Sequence, residues 1–420
     1  MNKKPQEFLT IEQQIELLKE RHLIFNDETA AKFLLLTHDY YEIINGYKQS
    51  YIIKKDNHNE IYKPGISFEQ IFSLFSFDRA IRQMVMSSLI DLEEHMRSIV
   101  SYVIAKHYGP LHKNYLNSKN YINVKVTNPH WSKSSILGSL NYAISNPKPP
   151  VTYHLKEYGN VPPWVLLKQI YMSTLFNLVR ILKPELKEEV IMIAYGVPRE
   201  VAKQEEIKQL FMQSLILFLD YRNMAAHGNR MYSFKTKHDI SLNKTNIKKL
   251  QKYRINLQEI SEYNGLGRLI SLLYLFNYKI PYRNLYVVFT TELGRHCSKY
   301  PNDISHLISS SGYNPETFEL KNGNYKYTIA EMVDENGIII NHQKFNRIFN
   351  NNDVTEEVAA TMEQNNSCFI LKYNYRKCRR KQSRNNWKKR KENATNLNIL
   401  EYLTRTWIEI TTRGDDYNYY

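Results

Sequence analysis

The feature of this sequence that most constrains its fold is a long, unbroken helical pattern that opens at Ser67 and ends at Gly109-Pro110. Apolar residues recur in it every three or four positions, through SFEQIFSLFSFDRAIRQMVMSSLIDLEEHMRSIVSYVIAKHYGP. Ser67 and Gln70 have the spacing of a capping box, and a glycine-proline pair is typical of a helix end. The pattern is longer than most globular helices, so it predicts either the central helix of a bundle or two stacked helices.

The composition favours the same fold class. The chain has only 14 Gly and 14 Pro in 420 residues, so residues that form turns are few and long helices are favoured over many short strands. Apolar residues make up 42% and charged residues 24%, which is typical of a globular chain. At roughly 150 residues per domain, the length allows two or three domains.

Shorter helical patterns surround the long one. An amphipathic helix is predicted over 10–23, and the run NDET after it can cap a second helix. Pro198 fits the first turn of a helix of about thirty residues that ends at Gly228. Gly46 and the run KKDNHNE mark a turn or loop. Further helices are predicted near 134–144, 163–182, 185–194, 265–276 and 282–298.

Beyond about Ser309 the pattern changes from helical to mixed. YKYTIAEM, the turn DENG and GIIINH predict a β-hairpin, residues 354–364 a helix, and CFILKYNY and WIEITTR two strands. We therefore predict a mainly α protein in three parts. These are an N-terminal helical segment over 1–60, a helical bundle domain over 61–308 and a small C-terminal α+β appendage over 309–420.

Positive charge is concentrated in the predicted appendage. The chain carries 57 Lys and Arg against 42 Asp and Glu, and the window 372–391 has eleven basic residues and no acidic one. Cations bind phosphate without sequence preference, and interleaved aromatic rings can stack on bases, so this segment predicts contact with RNA. A solvated tail or linker is the alternative. The candidate RNA-binding residues are Arg376, Lys377, Arg379, Arg380, Lys381, Arg384, Trp387, Lys388, Lys389 and Arg390.

Several common classes are excluded. No run of about 18 apolar residues predicts a transmembrane helix, and the start MNKKPQEF lacks the apolar region of a secretory signal. The three cysteines are widely spaced without CxxC, which argues against a disulfide framework or a zinc knuckle. The P-loop, GxGxxG, GxSxG and HExxH motifs are absent. We expect a cytoplasmic protein that uses no metal and no organic cofactor.

The residues that stand out as a candidate site form the run YRNMAAHG, from Tyr221 to Gly228. Metal-free RNA cleavage needs a base for the 2′-hydroxyl proton and an acid for the leaving oxygen, and an imidazole suits either role. It also needs a fixed cation for charge that builds on the phosphoryl oxygens, which Arg222 could supply. Asn223 could orient His227 or the phosphate, because the two residues are four apart on one helix face.

The spacing of Arg222 and His227 restricts how they can meet. Five residues correspond to a rotation of about 500°, so the two side chains point about 140° apart on a regular helix. Either the helix loosens at Gly228, or two copies of the motif share one pocket across a two-fold axis. We favour the shared pocket, which predicts a homodimer. The structural alternative is that Arg222 pairs with a core acid and His227 caps the helix.

Charged residues on the long helix allow similar alternatives. Arg79 and Arg82 are three residues apart, and Glu93 and Arg97 are four apart. Ion pairing at a surface or interface is one interpretation of these pairs. The other is that a glutamate orients Arg222, or that the arginines contact RNA phosphate.

With these residues in view, RNxxAH at the end of a long helix resembles the Arg-x4-6-His motif of the HEPN superfamily (higher eukaryotes and prokaryotes nucleotide-binding domains). The order and spacing of other stretches, from about residue 8 to 300, resemble the Abi family of bacterial abortive-infection proteins, of the AbiD/AbiF type. These stretches are LTIEQQIELLKERHLI near the start, YYEIINGY at 40–47, FDRAIRQ at 77–83, IDLEEHMR at 90–97 and VPPWVLL at 161–167.

The resemblance implies an all-helical HEPN domain, phage defence and metal-independent RNA cleavage or RNA binding. Some members of that family are paired with a small non-coding RNA. Carried over by position, Arg222, Asn223 and His227 become the candidate catalytic residues. The resemblance does not extend to the C-terminal 110 residues or so, which the family usually lacks.

Two function classes follow as hypotheses. The leading one is an anti-phage endoribonuclease that leaves a 2′,3′-cyclic phosphate. The alternative is a non-catalytic protein that holds a structured small RNA and acts through a partner. A toxin kept silent by an antitoxin or an RNA uses the same chemistry as the first, so the sequence does not separate these two.

Overall fold

The computed structural model describes residues 8–56, 59–126, 128–238 and 262–315, and these residues are mainly helical, as predicted. The helices are α1 (Ile11–Glu20), α2 (Glu28–His38), α3 (Phe68–Tyr108), α4 (His112–Tyr115), α5 (Lys133–Ser145), α6 (Val151–Tyr158), α7 (Pro163–Leu166), α8 (Met172–Ile181), α9 (Pro184–Tyr195), α10 (Arg199–Ala202), α11 (Glu205–Ala226), α12 (Gly265–Leu275), α13 (Ile280–Lys299) and α14 (Ile304–Ser310). Strands β1 (Ile52–Asp56) and β2 (Asn59–Tyr62) pair in an antiparallel hairpin. Of the helices described, none is both long enough and apolar enough to cross a membrane.

The described residues divide into two compact units. One unit contains the residues up to Ile81 together with Phe289–Ile308. The other contains Arg82–Val288 together with Ser309–Asn314. Both divisions fall inside helices, in α3 and in α13. The three-part organisation with limits at 60 and 308 therefore remains a prediction, and residues 316–420 lie outside the described part of the chain.

In the first unit, local capping explains where the helices begin. Thr10 accepts a hydrogen bond from the Gln13 amide while the Gln13 side chain accepts one from the Thr10 amide, which is the reciprocal capping box. Asp27 caps α2 by accepting from the Ala30 amide at 2.9 Å. Ser67 likewise accepts from the Gln70 amide at 3.2 Å, so α3 starts where its sequence predicts. Helix α3 is a single helix of 41 residues.

A buried hydrogen-bond network around Asp303 lies in the core of this unit. The Asp303 carboxylate accepts from the Tyr51 hydroxyl at 2.7 Å and from the Gln70 amide at 2.9 Å. His296 lies 2.9 Å from the same oxygen through Nε2, and its Nδ1 lies 2.9 Å from the Ser73 hydroxyl. His296 is 1% exposed and Asp303 8%, so these polar groups satisfy one another rather than water.

In the second unit, α11 supplies the central apolar face. Phe211 and Phe218 of this helix pack against Phe276, and Phe211 also meets the ring of Tyr195 edge-on at 5.2 Å. All four rings lie in the core. Aromatic side chains contribute the largest buried apolar areas, so this cluster fixes the direction in which α11 runs.

Three predicted elements differ from the structure. The turn predicted around KKDNHNE is flanked by strands β1 and β2, which the loop assignment did not include. The helix predicted over 163–182 is broken, because a 3-10 turn over Leu167–Gln169 separates α7 from α8. The helix of about thirty residues predicted from Pro198 is also two helices, since α10 ends at Ala202 and α11 starts at Glu205. Helix α6 was not predicted.

We expect Asp303→Asn to lower the free energy of unfolding at neutral pH by about 2 kcal/mol, because a carboxylate that accepts several buried hydrogen bonds is lost. Burial raises the pKa of Asp303. Hydrogen bonds from His296, Gln70 and Tyr51 lower this pKa by more than burial raises it, so the pKa lies below its ordinary value. This stabilisation is therefore present above the ordinary carboxyl pKa of about 4 and disappears as the pH falls through the folded-state pKa. Urea unfolding at several pH values measures it.

Asp91→Asn is the matched control. Burial raises the pKa of Asp91, and the neighbouring Glu94 carboxylate adds to this, so its charged form is disfavoured in the folded state. Removing that charge should leave the free energy of unfolding unchanged or slightly higher. Equal losses for the two variants would contradict a stabilising role for the Asp303 network.

Candidate functional site

The three candidate catalytic residues lie at the C-terminal end of α11. Tyr221 and Ala225 of this turn are buried, whereas Asn223 is exposed and Arg222 is half-buried. Residues four apart share a helix face, so burial of Tyr221 and Ala225 directs Asn223 and His227 outward. The sequence folds this way because its apolar positions in YRNMAAHG continue the buried face of the preceding turns.

The Arg222 guanidinium has no carboxylate partner among the described residues. Its Nη1 donates to the Asn223 side-chain oxygen over 3.4 Å. Its Nε is buried and has no hydrogen-bond partner in the described part of the chain. The alternative in which Arg222 pairs with a core acid is therefore not observed in the part of the chain that is described. Glu93, which the sequence offers as a group that could orient Arg222, instead pairs with Arg97.

His227 occupies the C-cap position of α11. Its amide donates to the Asn223 carbonyl at 3.1 Å, so the helical ladder continues to this residue. Gly228 follows with a φ of 72°, and the Asn229 amide donates to the Met224 carbonyl at 3.1 Å, which is the Schellman arrangement. The His227 side chain is exposed, and its ring makes no hydrogen bond to the described residues.

The geometry therefore brings Arg222 and Asn223 together but leaves His227 separate. Because the helix stays regular up to its C-cap, the angle of about 140° between Arg222 and His227 persists within one chain. A loosened helix end, which was one of the two routes for bringing these side chains together, is not what the structure shows.

Arg82 contacts the turn that follows His227. Its Nη1 donates to the Gly228 carbonyl at 2.5 Å, which joins α3 to the end of α11. Helix C-termini leave carbonyls without intrahelical partners, and a cation there also opposes the negative end of the helix dipole. Sequence reasoning considered Arg82 for ion pairing or RNA contact and missed this role. Its position within FDRAIRQ, one of the quoted stretches, was the available signal.

The segment after α11 returns along the same helix. Met231 and Tyr232 are buried, and the Tyr221 hydroxyl donates to the Phe234 carbonyl at 2.9 Å. The rings of Tyr221 and Phe234 also meet edge-on at 4.8 Å. Burial raises the pKa of Tyr221, with Arg268 opposing this, so the phenol remains a donor.

The returning segment places two polar residues against Asp220, which sequence reasoning did not single out. The Thr236 hydroxyl donates to the Asp220 carboxylate, and His238 Nδ1 lies 2.7 Å from the same oxygen. The His238 amide in turn donates a hydrogen bond to the Thr236 hydroxyl oxygen over 3.0 Å. No spacing rule links residues 220, 236 and 238, so only the folded chain reveals this cluster. The candidate RNA-binding residues from Arg376 to Arg390 lie outside the described residues.

Comparison with known proteins gives one family. The family model described as Abi-like protein matches residues 33–233. The matched region includes the run from Tyr221 to Gly228 and four of the five quoted stretches, but not the one at 9–24. No curated protein and no solved structure matches this chain.

We expect Arg82→Ala to loosen the turn after α11 and to lower the free energy of unfolding by about 1 kcal/mol, because a charged donor to a helix-end carbonyl is lost. Hydrogen exchange read by mass spectrometry should show faster exchange in the peptide that covers 224–230. Arg79→Ala is the matched control, since Arg79 is an exposed residue of the same helix whose side chain makes no hydrogen bond to the residues that the structure describes. Unchanged exchange over 224–230 would show that Arg82 does not hold this turn.

Proposed function

Because this chain belongs to the family of Abi-like proteins, we propose that it acts in abortive-infection defence against phage as a HEPN endoribonuclease that cleaves RNA without a metal ion. Family membership supports the defence role. The ribonuclease chemistry is inferred from the end of α11, and the HEPN assignment from the resemblance of its motif.

The observation that carries the proposal is the state of Arg222. A half-buried guanidinium normally pairs with a carboxylate, yet Arg222 has no such partner among the described residues, and its Nε is buried without an acceptor. An unpaired buried cationic donor is costly, and a phosphoryl oxygen would satisfy it. An exposed imidazole, that of His227, lies at the same helix end and is available for proton transfer.

The proposed reaction is attack of a ribose 2′-hydroxyl on the adjacent phosphorus. The P–O2′ bond forms and the P–O5′ bond breaks, which leaves a 2′,3′-cyclic phosphate and a 5′-hydroxyl. One group must take the 2′-hydroxyl proton and another must protonate the leaving O5′. His227 supplies one of these transfers, and Arg222 stabilises the charge on the non-bridging oxygens. The Asn223 side-chain oxygen accepts a hydrogen bond from Arg222, so Asn223 orients the guanidinium or the phosphate.

We place Arg222 of one copy opposite His227 of a second copy. The regular helix keeps these side chains about 140° apart within one chain, so they cannot flank one phosphate from the same helix. Ala226 is exposed and gives the outer surface of this turn a small side chain, which allows a second helix to approach closely. The two-fold axis makes this pairing occur twice, so the pocket shared by the two copies would contain two equivalent pairs of Arg222 and His227.

Removal of either candidate side chain tests the reaction. We expect purified protein to cleave RNA in the presence of chelator, and both Arg222→Ala and His227→Ala to reduce kcat by about 100-fold or more, because cation and proton transfer are lost. Cleavage is measured on end-labelled RNA, and the cyclic phosphate is identified by mass spectrometry. Unchanged cleavage by both variants would contradict the proposal. RNA binding without turnover in any condition would support the non-catalytic alternative.

The same variants test the shared pocket. In a mixture of Arg222→Ala and His227→Ala protomers, half of the dimers are mixed, and each mixed dimer keeps one of its two Arg222–His227 pairs intact. About a quarter of the wild-type rate should therefore return. A site within one chain predicts no recovery. A protein that stays active as a monomer in light scattering would also refute the shared pocket.

We further propose that the basic segment 372–391 binds the RNA backbone. Replacing Arg379, Arg380 and Lys381 by Gln should weaken RNA binding and reduce the slope of log affinity against log salt by up to about 2, or about 0.7 per lost phosphate contact. Fluorescence anisotropy across a salt series measures this. The control is a second triple variant that loses the same amount of charge. In it, Gln replaces three other exposed lysines, namely Lys113, Lys119 and Lys125. Equal slopes for both triple variants would show that 372–391 makes no special contact.

A further inference from the structure

We infer that His238, oriented by Asp220, is the second proton-transfer residue of the ribonuclease reaction, acting as the general base while His227 acts as the general acid. This inference rests on the proposed function. The reaction requires both a base and an acid, whereas each pair formed by Arg222 of one copy and His227 of the other supplies a single imidazole, so a second proton-transfer group is needed beside each pair.

The geometry around His238 is that of an imidazole held for proton transfer. Asp220 accepts from its Nδ1 at 2.7 Å, which places the ring hydrogen on Nδ1 and leaves the Nε2 lone pair free to take a proton. Nε2 makes no hydrogen bond to the described residues, and the side chain is 61% exposed, so substrate can reach it. Asp220 is only 27% exposed, as expected of an orienting group.

The backbone near His238 is anchored, which an effective proton-transfer group requires. The Thr236 hydroxyl donates to Asp220 and accepts from the His238 amide. Four residues before His238, the Phe234 carbonyl accepts a part-buried hydrogen bond from the Tyr221 hydroxyl, which holds the start of this segment. The imidazole is therefore attached at its ring and at its backbone to one helix. Such preorganisation reduces the reorganisation that the reaction would otherwise need.

Asp220 and His227 lie on the same face of α11. They are seven residues apart, which is a net rotation of about 20° and a rise of about 10 Å. Asn223 lies between them on this stripe. The two imidazoles can therefore approach one stretch of RNA from the same side, whereas Arg222 is turned away by about 200° from Asp220. The cation must then come from the second copy, in agreement with the shared pocket.

The charge of the surroundings suits an anionic substrate. Between Asp220 and Asp239 the chain carries four cations and no acid, namely Arg222, Arg230, Lys235 and Lys237. The last three are exposed. A local cluster of one sign attracts a polyanion and raises its local concentration.

In the proposed step, His238 Nε2 takes the 2′-hydroxyl proton as the P–O2′ bond forms. The His227 imidazolium gives its proton to O5′ as the P–O5′ bond breaks. Each imidazole then exchanges its proton with water, and no co-reactant is required. Asp220 is a positioning residue in this scheme, since it touches the base and not the RNA.

His238→Asn is the decisive variant. The Asn amide can still donate to Asp220 from the position of Nδ1, but it has no counterpart to Nε2, so the structural contact is kept and the base is lost. We expect kcat for RNA cleavage in chelator to fall by about 100-fold or more with KM nearly unchanged. The thermal unfolding midpoint should not move. His130→Ala removes an exposed imidazole of the same unit that makes no hydrogen bond to the described residues, and it should have no effect.

Two further measurements separate a base from a structural group. Added imidazole should restore cleavage to His238→Gly but not to Arg222→Ala. On RNA with sulfur in place of the leaving O5′ at the mapped cleavage site, protonation of the leaving group is unnecessary. His227→Ala should then recover most of its loss, while His238→Asn stays slow.

The outcomes distinguish the two proposals. Wild-type kcat for His238→Asn, alongside inactive Arg222→Ala and His227→Ala, overturns the role of His238 and leaves the ribonuclease standing. If all three variants cleave like wild type, or if no RNA is cleaved in any condition, both proposals fail. Loss of kcat accompanied by a lowered unfolding midpoint and no imidazole rescue assigns His238 a structural role and overturns the inference.

Discussion

Burial of Tyr221 is the interaction on which the end of α11 depends. Its ring is fully enclosed, and its hydroxyl bonds to the Phe234 carbonyl, so one side chain fixes both the helix and the segment that returns along it. Adjacent helical residues differ by about 100°, so an inward Tyr221 directs Asp220 to one side and Arg222 to the other. The angular separation between Arg222 and the stripe that carries Asp220 and His227 follows from this anchor.

The parts of the fold that sequence reasoning predicted are those set by local chemistry. The ends of α3 follow from the Ser67 cap and from Gly109, and the start of α1 follows from Thr10. The break between α10 and α11 at Lys203-Gln204 has no proline or glycine to mark it, so an apolar pattern read in sequence alone runs through it. The hairpin was missed for a similar reason, because its strands are short and rich in charge.

The candidate site likewise has one part that the local sequence predicts and another part that only the folded chain reveals. Arg222, Asn223 and His227 are contiguous, so a spacing rule can find them. His238 is eighteen residues from Asp220, and the contact depends on a returning segment whose course is set by the burial of Met231 and Tyr232. No periodicity encodes such a return. Arg82 is 146 residues from Gly228, and its contact is likewise a product of tertiary packing.

Arginines on α3 bind backbone carbonyls rather than acids alone. Arg82 contacts the Gly228 carbonyl after α11, and Arg97 donates to the carbonyls of Leu167 and Ile170 where α7 gives way to α8. Both arginines lie in stretches that carry the family resemblance, which gives those stretches a physical meaning as supports for helix ends. The guanidinium of Arg222 differs because, among the described residues, it donates to the Asn223 side chain and to no backbone carbonyl, and its buried Nε has no acceptor.

The proposed two-copy pocket would have a consequence for how activity scales. In that proposal each copy contributes the imidazoles beside one face of α11 and the guanidinium on another, so one protomer alone would have proton-transfer groups without the cation that stabilises the transition state. Below the dimer dissociation constant, the concentration of complete pockets would then rise with the square of the protomer concentration, by mass action. The proposed binding of RNA by the basic segment would require only one chain and would rise linearly. A protein built this way can hold RNA at low abundance and cleave it only when protomers are concentrated, for example along the same RNA molecule.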